Sequence, residues 1–394
     1  MSDCSTTRES GFTMVEMMIA MALGLVVLGA AVQLYSKGVA ATFTVSQRAE
    51  MQQDFRAASN MLIKDLSLAG AGLGNNTAIA LPSTTTPLYG CDQTSSGTCH
   101  LGASNNTGAT YPKQGATPYL YGLMPGYNAG PILTTAGTTD AITVAYTDTS
   151  FYLNCYTPKI TATGVVTFLP PVSPTTWATE GCLPSGVATP QAVNDSVAGL
   201  TAGDLVLMTL NNTRLVVEVT GAVTTGTDAA GNTTYIVPFA NSDVLKMNQT
   251  PAGGGLNSVA LNISGSSSAA PCAGTGPCRL QVVTYYVDNT VSPARLMRQV
   301  SGHNPMPVAE NIVYMKFSYD LFNDATSTPA INQPNPGSGD ANDTASNGLL
   351  PNQITKINVV HMAIDSQVKG TQGYQGLDLQ TSVSARNLTY NDNY

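Results

Sequence analysis

The chain has 394 residues and a formal net charge of −8, and only 10% of its residues are charged. This length allows a sizeable core, and the low charge with 37 glycines and 23 prolines is typical of a secreted β-rich protein rather than a cytosolic helical enzyme. The negative balance argues against nucleic acid as a bulk electrostatic partner, because phosphate binding relies on clustered lysine and arginine. The longest candidate for a basic patch is the scattered set Arg295, Arg298 and Lys316.

The first predicted element is an apolar helix at residues 11–35, GFTMVEMMIAMALGLVVLGAAVQLY. Glu16 is the only charged residue between Phe12 and Ser36, and a helix of this length spans the roughly 30 Å hydrocarbon core of a bilayer. An ordinary signal peptide has a basic front and a small-residue cleavage site after its apolar run. Here the front is not strongly basic, and Gly11 precedes the run. Cleavage at Gly11 would therefore keep the helix in the mature protein.

Glu16 is the unusual residue of this helix. A carboxylate in lipid costs roughly 2.5–3.5 kcal/mol on insertion scales, and such a group is by default functional and in need of a partner. A new α-amino group on Phe12, from the same chain or from a neighbour, would be a suitable partner.

Residues 11–16, Gly-Phe-Thr-Met-Val-Glu, with the apolar run behind them resemble the class III leader of type IV pilins and type II secretion pseudopilins. The resemblance implies that a prepilin peptidase cleaves between Gly11 and Phe12 and methylates the new N-terminal Phe12. It also implies that Glu16, at the fifth mature position, pairs with a terminal amine during filament assembly.

The seven cysteines are an odd number, which normally indicates a free thiol. Removal of the leader takes Cys4 away and leaves an even set, which fits disulfides in an oxidising compartment. Six cysteines allow fifteen pairings. Sequential pairing is favoured, because each pair then brackets a loop rich in Gly, Ser, Thr and Pro. The favoured bonds are Cys91–Cys99, Cys155–Cys182 and Cys272–Cys278.

The helix is predicted to continue to about Ala69, because no proline occurs before Pro82 and an apolar stripe follows the first half. Asp65 and the other charged residues of this half are assigned to its polar side. Three glycines are expected to end the helix, namely Gly70, Gly72 and Gly74. The stripe comprises Phe55, Leu62, Leu66, Ala69 and Leu73.

The rest of the chain is predicted to be β-rich. Residues 75–140 are interpreted as long loops with short strands, bridged by Cys91 and Cys99, and residues 323–350 as a loop. Asn211 and Asn212 are interpreted as a tight hairpin turn. A helix first and a sheet afterwards indicate the α+β class. The strand candidates are 141–147, 164–169, 203–210, 213–220, 233–238, 279–287, 311–322, 354–365 and 377–390.

Further segments resemble the W-type minor pilins. Residues 57–74 resemble the segment after the helix of that group, and four blocks resemble its C-terminal sheet, at 285–289, 296–299, 307–320 and 382–390. J-type minor pseudopilins of type II secretion share much of this pattern. The resemblance implies a pilin-like fold, with a long N-terminal helix packed on an antiparallel β-sheet head. The implied domains are a leader at 1–11, a membrane and assembly helix at 12–73, and a head at 74–394 with a variable part (75–278) and a C-terminal sheet (279–394).

The favoured function is that of a W-type minor pilin, which helps to prime or cap a type IV pilus. Its implied partners are prepilin peptidase, other minor pilins and the major pilin. The implied location is the inner membrane, with the head in the periplasm, before assembly and the cell surface afterwards. The alternatives are a J-type minor pseudopilin, or a tip adhesin or ligand-binding module in which residues 75–278 bind a surface.

Enzymatic motifs are absent from the sequence. No GxSxG, HExxH or Walker loop occurs, and no cofactor is predicted. A zinc site is not favoured either, because no CxxC occurs and the histidines are dispersed at 100, 303 and 361. An acidic set, three aspartates and one asparagine in the 323–350 loop, offers oxygen ligands for calcium. These residues lack the D-x-[DN]-x-[DN]-G spacing of a calcium loop, and acidic residues are common in turns. This set is Asp324, Asp340, Asn342 and Asp343.

Overall fold

The computed structural model describes most of the chain between residues 11 and 388. Residues 1–10 and the gaps between the described ranges lie outside this description. The ranges are 11–73, 79–83, 85–93, 97–101, 109–114, 116–133, 137–148, 150–160, 165–170, 191–210, 213–240, 243–248, 277–323, 328–334, 359–370, 373–384 and 388.

One long helix, α1 at Met14–Leu68, opens the structure. Its 55 residues extend roughly 80 Å at about 1.5 Å per residue. The prediction of a single helix from residue 12 to about 69 is confirmed. Within the described ranges, α1 is the one helix long and apolar enough to cross a membrane.

The end of α1 connects directly to a strand. Gly70 and Gly72 have positive φ angles of 79° and 72°, a conformation that glycine adopts without strain. The backbone N–H of Gly70 donates to Ala145 (2.8 Å), and that of Thr147 donates to Ala71 (2.9 Å). A Cβ atom at Gly72 would lie 1.7 Å from Oγ1 of Thr147, so this close approach requires glycine. Gly74 lies outside the described residues.

Eight short strands lie in the described part of residues 75–140, as predicted, and the longer strand β9 follows them. In chain order, the nine strands are β1 at Ile79–Ala80, β2 at Leu88–Tyr89, β3 at Ala109–Thr110, β4 at Lys113–Gln114, β5 at Thr117–Leu120, β6 at Leu123–Gly126, β7 at Ile132–Leu133, β8 at Gly137–Thr138 and β9 at Ala141–Thr147.

Longer strands follow, after a short 3₁₀ helix at Leu153–Cys155. In the middle of the chain they are β10 at Thr157–Ile160, β11 at Val165–Leu169, β12 at Leu205–Leu210, β13 at Thr213–Glu218, β14 at Thr224–Thr227 and β15 at Thr233–Pro238. In the last third they are β16 at Cys278–Asp288, β17 at Arg295–Val300, β18 at Met306–Glu310, β19 at Ile312–Asn323, β20 at Thr328–Gln333, β21 at Val359–Gly370 and β22 at Gly373–Ser384.

Three antiparallel sheets contain most of the described strands of the head. The largest has seven strands in the order β13-β12-β16-β17-β18, with β9 also paired to β16 and β6 paired to β9. A four-stranded sheet runs β20-β19-β21-β22, and another runs β10-β11-β15-β14. One helix on antiparallel sheets is the α+β, pilin-like architecture that the sequence predicts.

The second half of α1 supplies one side of the main core. Leu62 and Leu66 are fully buried, and with Phe55 they join a cluster that includes Tyr285 of β16 and Phe317 of β19. All five residues of the apolar stripe are buried, which confirms the stripe. Burying one such side chain contributes about 1.5–3 kcal/mol, so the stripe holds the helix firmly on the head.

Most predicted strands are confirmed, and the largest errors in strand bounds lie in the last third. The candidates 141–147 and 233–238 coincide with β9 and β15. Two final strands exist as predicted, but their hairpin closes between Gly370 and Gly373 instead of across 366–376. The stretch between lacks apolar alternation, and backbone pairing alone extends the strands through it.

Five further strands are not among the predicted candidates, namely β10, β14, β17, β18 and β20. β17 reads RLMRQV, and β20 lies inside the predicted 323–350 loop. β20 pairs with β19, with Leu321 opposite Ala330, so its hydrogen bonds to a neighbouring strand override a loop-like composition. The predicted turn residues 211–212 lie outside the described residues, although β12 and β13 pair antiparallel up to Leu210 opposite Thr213.

Candidate functional site

The N-terminus of α1 is closed by a reciprocal pair of side chains. Thr13 occupies the N-cap position, and its hydroxyl oxygen accepts a hydrogen bond from the backbone N–H of Glu16 (3.3 Å). In return, the backbone N–H and the hydroxyl of Thr13 both donate to Oε2 of Glu16, at 2.9 Å each. This capping box satisfies helix N–H groups that otherwise lack partners. It also fixes the Glu16 carboxylate beside the first residues of the helix.

The predicted cleavage position lies just before this cap. Gly11 and Phe12 precede the first helical turn, and a Cβ atom at Gly11 would meet nothing within 4 Å. The Phe12 side chain is 88% exposed. An accessible, non-helical backbone is what a peptidase requires. The ten residues before it lie outside the described structure.

The first half of α1 presents apolar side chains all around its axis. Val26 and Leu28 are 69% and 64% exposed, although such residues are usually buried. In the most apolar 18-residue window of the helix, none of the residues is buried. A helix that is apolar on every side needs lipid or other helices around it. This half of α1, with Glu16 near its start, can therefore insert into a membrane or pack among other helices.

The second half of α1 carries a buried acidic residue. The side chain of Asp65 is 4% exposed, and its Oδ2 lies 2.8 Å from Nε of Arg298 on β17. Tyr285 of β16 donates to the same oxygen (2.7 Å), and Tyr146 of β9 donates to Oδ1 (3.2 Å). We call Asp65, Arg298, Tyr285 and Tyr146 the Asp65 cluster. It joins the helix to three neighbouring strands of the largest sheet.

The electrostatic interactions within the Asp65 cluster favour the ion pair between Asp65 and Arg298. Burial alone would lower the pKa of Arg298, but the hydrogen bond and charge of Asp65 outweigh that effect and raise the pKa. Burial, then the charge of Asp65, also raises the pKa of Tyr285, so this phenol stays protonated and able to donate. Because the carboxylate has three donors around it, its burial costs far less than that of an unpaired charge.

This cluster corrects one sequence interpretation. Asp65 was assigned to the polar side of the helix, but it is buried, because its partners come from strands about 80 to 230 residues later in the chain and no helical pattern reveals them. Each of the three scattered basic residues has an acidic partner, in agreement with the absence of a predicted basic partner surface. Arg298 pairs with Asp65, Arg295 with Glu310 (3.2 Å), and Lys316 with Asp140 (2.8 Å).

The cysteines agree with the predicted pairing as far as they are described. Cys91 and Cys99 form a disulfide, and Cys155 and Cys278 are also disulfide-bonded. Cys182 and Cys272 lie outside the described residues, so the bonds Cys155–Cys182 and Cys272–Cys278 stay predictions.

The histidines that the structure describes have acidic neighbours rather than metal-like surroundings. Nε2 of His100 lies 2.8 Å from Asp92, and Nε2 of His303 lies 3.0 Å from Asp204. Among the described residues, no group of three or more His, Cys, Asp or Glu side chains is placed to hold a metal ion. The side chain of His361 and the whole acidic set of the 323–350 loop lie outside that description.

Comparison with known proteins matches only the start of the chain. Residues 6–32 match the family model described as the prokaryotic N-terminal methylation motif. No curated protein and no solved structure matches the chain. The motif supports a subunit of the type IV pilin and pseudopilin kind, and it is the signal that prepilin peptidase recognises. Such subunits are typically structural, and the apolar helix is consistent with membrane anchoring.

Proposed function

We propose that the protein is a minor subunit of a type IV pilus, which initiates the filament or occupies its tip. The observation that carries the proposal is the division of α1. Its first half exposes apolar surface around Glu16, and its second half buries one face against a large head. This is the arrangement that a subunit inserted into a filament through its N-terminal helix requires.

The proposed domains follow from this division. Residues 1–11 are a leader that prepilin peptidase removes, residues 12–73 are the membrane and assembly helix, and residues 74–394 are the head. Cleavage between Gly11 and Phe12 leaves a free amine on Phe12, which is then methylated. The subunit waits in the inner membrane with its head in the periplasm, and it reaches the cell surface in the filament.

Glu16 is the proposed assembly residue. In the unassembled chain, its carboxylate accepts two hydrogen bonds from Thr13, which lowers its cost in an apolar environment. In a filament, the terminal amine of Phe12, from this chain or a neighbour, supplies the missing positive charge. An unpaired carboxylate in the helix bundle would be destabilising by several kcal/mol, so the pairing favours correct insertion.

The Asp65 cluster supports the W-type assignment. The segments that resemble W-type minor pilins are far apart in sequence, yet three of them meet here. Residues 57–74 contribute Asp65, residues 285–289 contribute Tyr285, and residues 296–299 contribute Arg298. The three segments that resemble W-type minor pilins therefore share one structural role, which is to attach α1 to the largest sheet. The proposed partners are other minor pilins and the major pilin.

The decisive experiment is to determine the intact mass and the N-terminal sequence of the protein recovered from membranes, with and without prepilin peptidase. We expect a methylated Phe12 start that depends on the peptidase. An unprocessed chain, or a cut after residue 35, would contradict the proposal.

A second experiment distinguishes a subunit of a type IV pilus from a pseudopilin of type II secretion. Deletion of the gene in a strain with both systems is expected to reduce surface pili and leave type II secretion intact. The reverse result would assign the chain to the J-type pseudopilins. Normal levels of both, with loss of binding to a surface, would assign it to the adhesins.

A further inference from the structure

Two buried carboxyl groups lie side by side in the head, far from the helix in sequence. Glu218 ends β13 and is 0% exposed, and Asp243 opens the 243–248 segment and is 6% exposed. The two side chains are within hydrogen-bonding reach of each other. We call Glu218 and Asp243 the acid pair.

One oxygen of each carboxyl group holds the 243–248 segment in place. Oε2 of Glu218 accepts from the backbone N–H of Leu245 (2.9 Å). Oδ2 of Asp243 accepts from the N–H groups of Met247 and Asn248, the latter at 3.0 Å. These bonds draw Leu245 and Met247 into the core, where they are 1% and 0% exposed.

Within the described part of the chain, the other two oxygens of the acid pair have no hydrogen-bond partner, although both are buried. They are Oε1 of Glu218 and Oδ1 of Asp243. Ionised carboxylates only accept hydrogen bonds, and two adjacent buried carboxylates cannot both stay charged without a large cost. One proton shared between the two carboxyl groups relieves this cost, because the protonated group then donates to the other.

The surroundings of the acid pair favour a proton over a larger cation. Asp243 acts on the pKa of Glu218, and the charge of Glu218 in turn raises the pKa of the buried phenol of Tyr111. No lysine or arginine is among the causes of the shifted pKa of Glu218. Calcium takes about six to eight oxygen ligands. Here the described side chains offer two unpaired carboxyl oxygens and the Tyr111 hydroxyl, which also lacks a partner.

We propose that Glu218 and Asp243 share one proton, and that this proton makes the attachment of the 243–248 segment to the head sensitive to pH. Opening of the segment separates the two groups and releases the proton to water. The segment also contacts the disulfide loop, because the N–H of Val244 donates to the side chain of Gln93 (3.0 Å), between Cys91 and Cys99. Opening therefore exposes Leu245 and Met247 beside that loop.

The directions of the pKa shifts of Glu218 and Asp243 agree with a shared proton. Burial raises the pKa of Glu218 from 4.5 to about 8, and burial also raises that of Asp243. A group with a raised pKa in the folded state stabilises it fully below the ordinary value, and this contribution is lost as pH rises through the folded value. The attachment should therefore weaken progressively between pH 4.5 and about 8.

The test is hydrogen exchange of the full-length protein in detergent, read by mass spectrometry on peptides that contain residues 243–248. After correction for the intrinsic exchange rate, we expect protection of the Leu245, Met247 and Asn248 amides to fall by up to about tenfold per pH unit between pH 5.5 and 7.5. Glu218→Gln keeps a donor toward Asp243 without a titrating proton, and should remove this dependence. The control Asp378→Asn changes an exposed carboxyl group on β22 and should leave the dependence unchanged.

Three results would overturn the proposal. One is protection in the native protein that does not change with pH over this range. Another is a pH dependence that survives in Glu218→Gln. The last is strong protection at pH 9 on addition of calcium to the native protein but not to Glu218→Gln, which would show that the acid pair holds a metal ion instead of a shared proton.

Discussion

The two halves of α1 contain similar apolar residues in opposite surroundings. Leu25 in the first half is 71% exposed, while Leu62 in the second half is 0% exposed. The two acidic residues differ in the same way. Among the residues that the structure describes, Glu16 is held only by its N-cap residue Thr13, whereas Asp65 is held by side chains from three strands. One continuous helix thus combines an exposed apolar surface in its first half with a surface in its second half that is packed against the head.

The difference teaches that the arrangement of apolar residues, and not their number, decides what a helix packs against. In the first half they surround the axis, so no face of the helix suits water. In the second half they form one stripe, so one face suits a sheet. Substitutions matched between the two halves should therefore have unequal effects.

The largest effect is expected for Asp65→Ala. This change leaves Arg298 partly buried without its partner, and breaking a buried ion pair in this way costs about 3–5 kcal/mol. Chemical unfolding of the full-length protein in detergent measures the loss. Asp54→Ala, at an exposed acidic residue of the same helix, should change the free energy of unfolding by no more than about 0.5 kcal/mol. Equal effects of the two substitutions would contradict the assigned role of Asp65.

Leu62→Ala should cost about 2–5 kcal/mol, because it leaves a cavity in the core between α1 and the sheets. The same unfolding experiment measures this value. Leu25→Ala is the matched control in the first half, and it should leave the stability of the head unchanged. If Leu25→Ala destabilised the head as much as Leu62→Ala, the first half would not be the free surface described above.

Glu16→Ala is expected to leave folding and cleavage intact but to reduce incorporation into filaments at least about tenfold, which corresponds to about 1.4 kcal/mol. The reason is the lost pairing between the carboxylate and a terminal amine. Quantitative immunoblots of sheared filaments against membranes measure the ratio. Glu50→Ala, an exposed acidic residue further along the helix, is the control. Equal incorporation of the Glu16 variant and the native protein would exclude an assembly role.

Local patterns predicted the parts of the fold that depend on local sequence. Helix α1, its glycine-rich end and the strands β9 and β15 all have clear periodicity or turn residues, and the N-terminal motif is a contiguous signal. Asp65 could not be predicted, because its burial depends on Arg298, 233 residues later. β20 has the composition of a loop and exists through its pairing with β19.

The acid pair shows the same limit. Glu218 lies within the predicted strand 213–220, but nothing local indicates that Asp243 lies against it. The signal that was available is the short Asn and Asp-rich stretch around 241–248, which is typical of turns. Its contact with β13 is a tertiary feature, and only the folded chain shows it.

The junction after α1 has a mechanical consequence. The backbone hydrogen bonds from Gly70 to Ala145 and from Thr147 to Ala71 attach the chain to β9 immediately beyond the last helical turn. Together with the pair of Asp65 and Arg298, they bind the helix to interior strands of the largest sheet. A tensile force between head and helix is therefore shared among several parallel attachments, instead of being borne by the peptide chain at a single hinge.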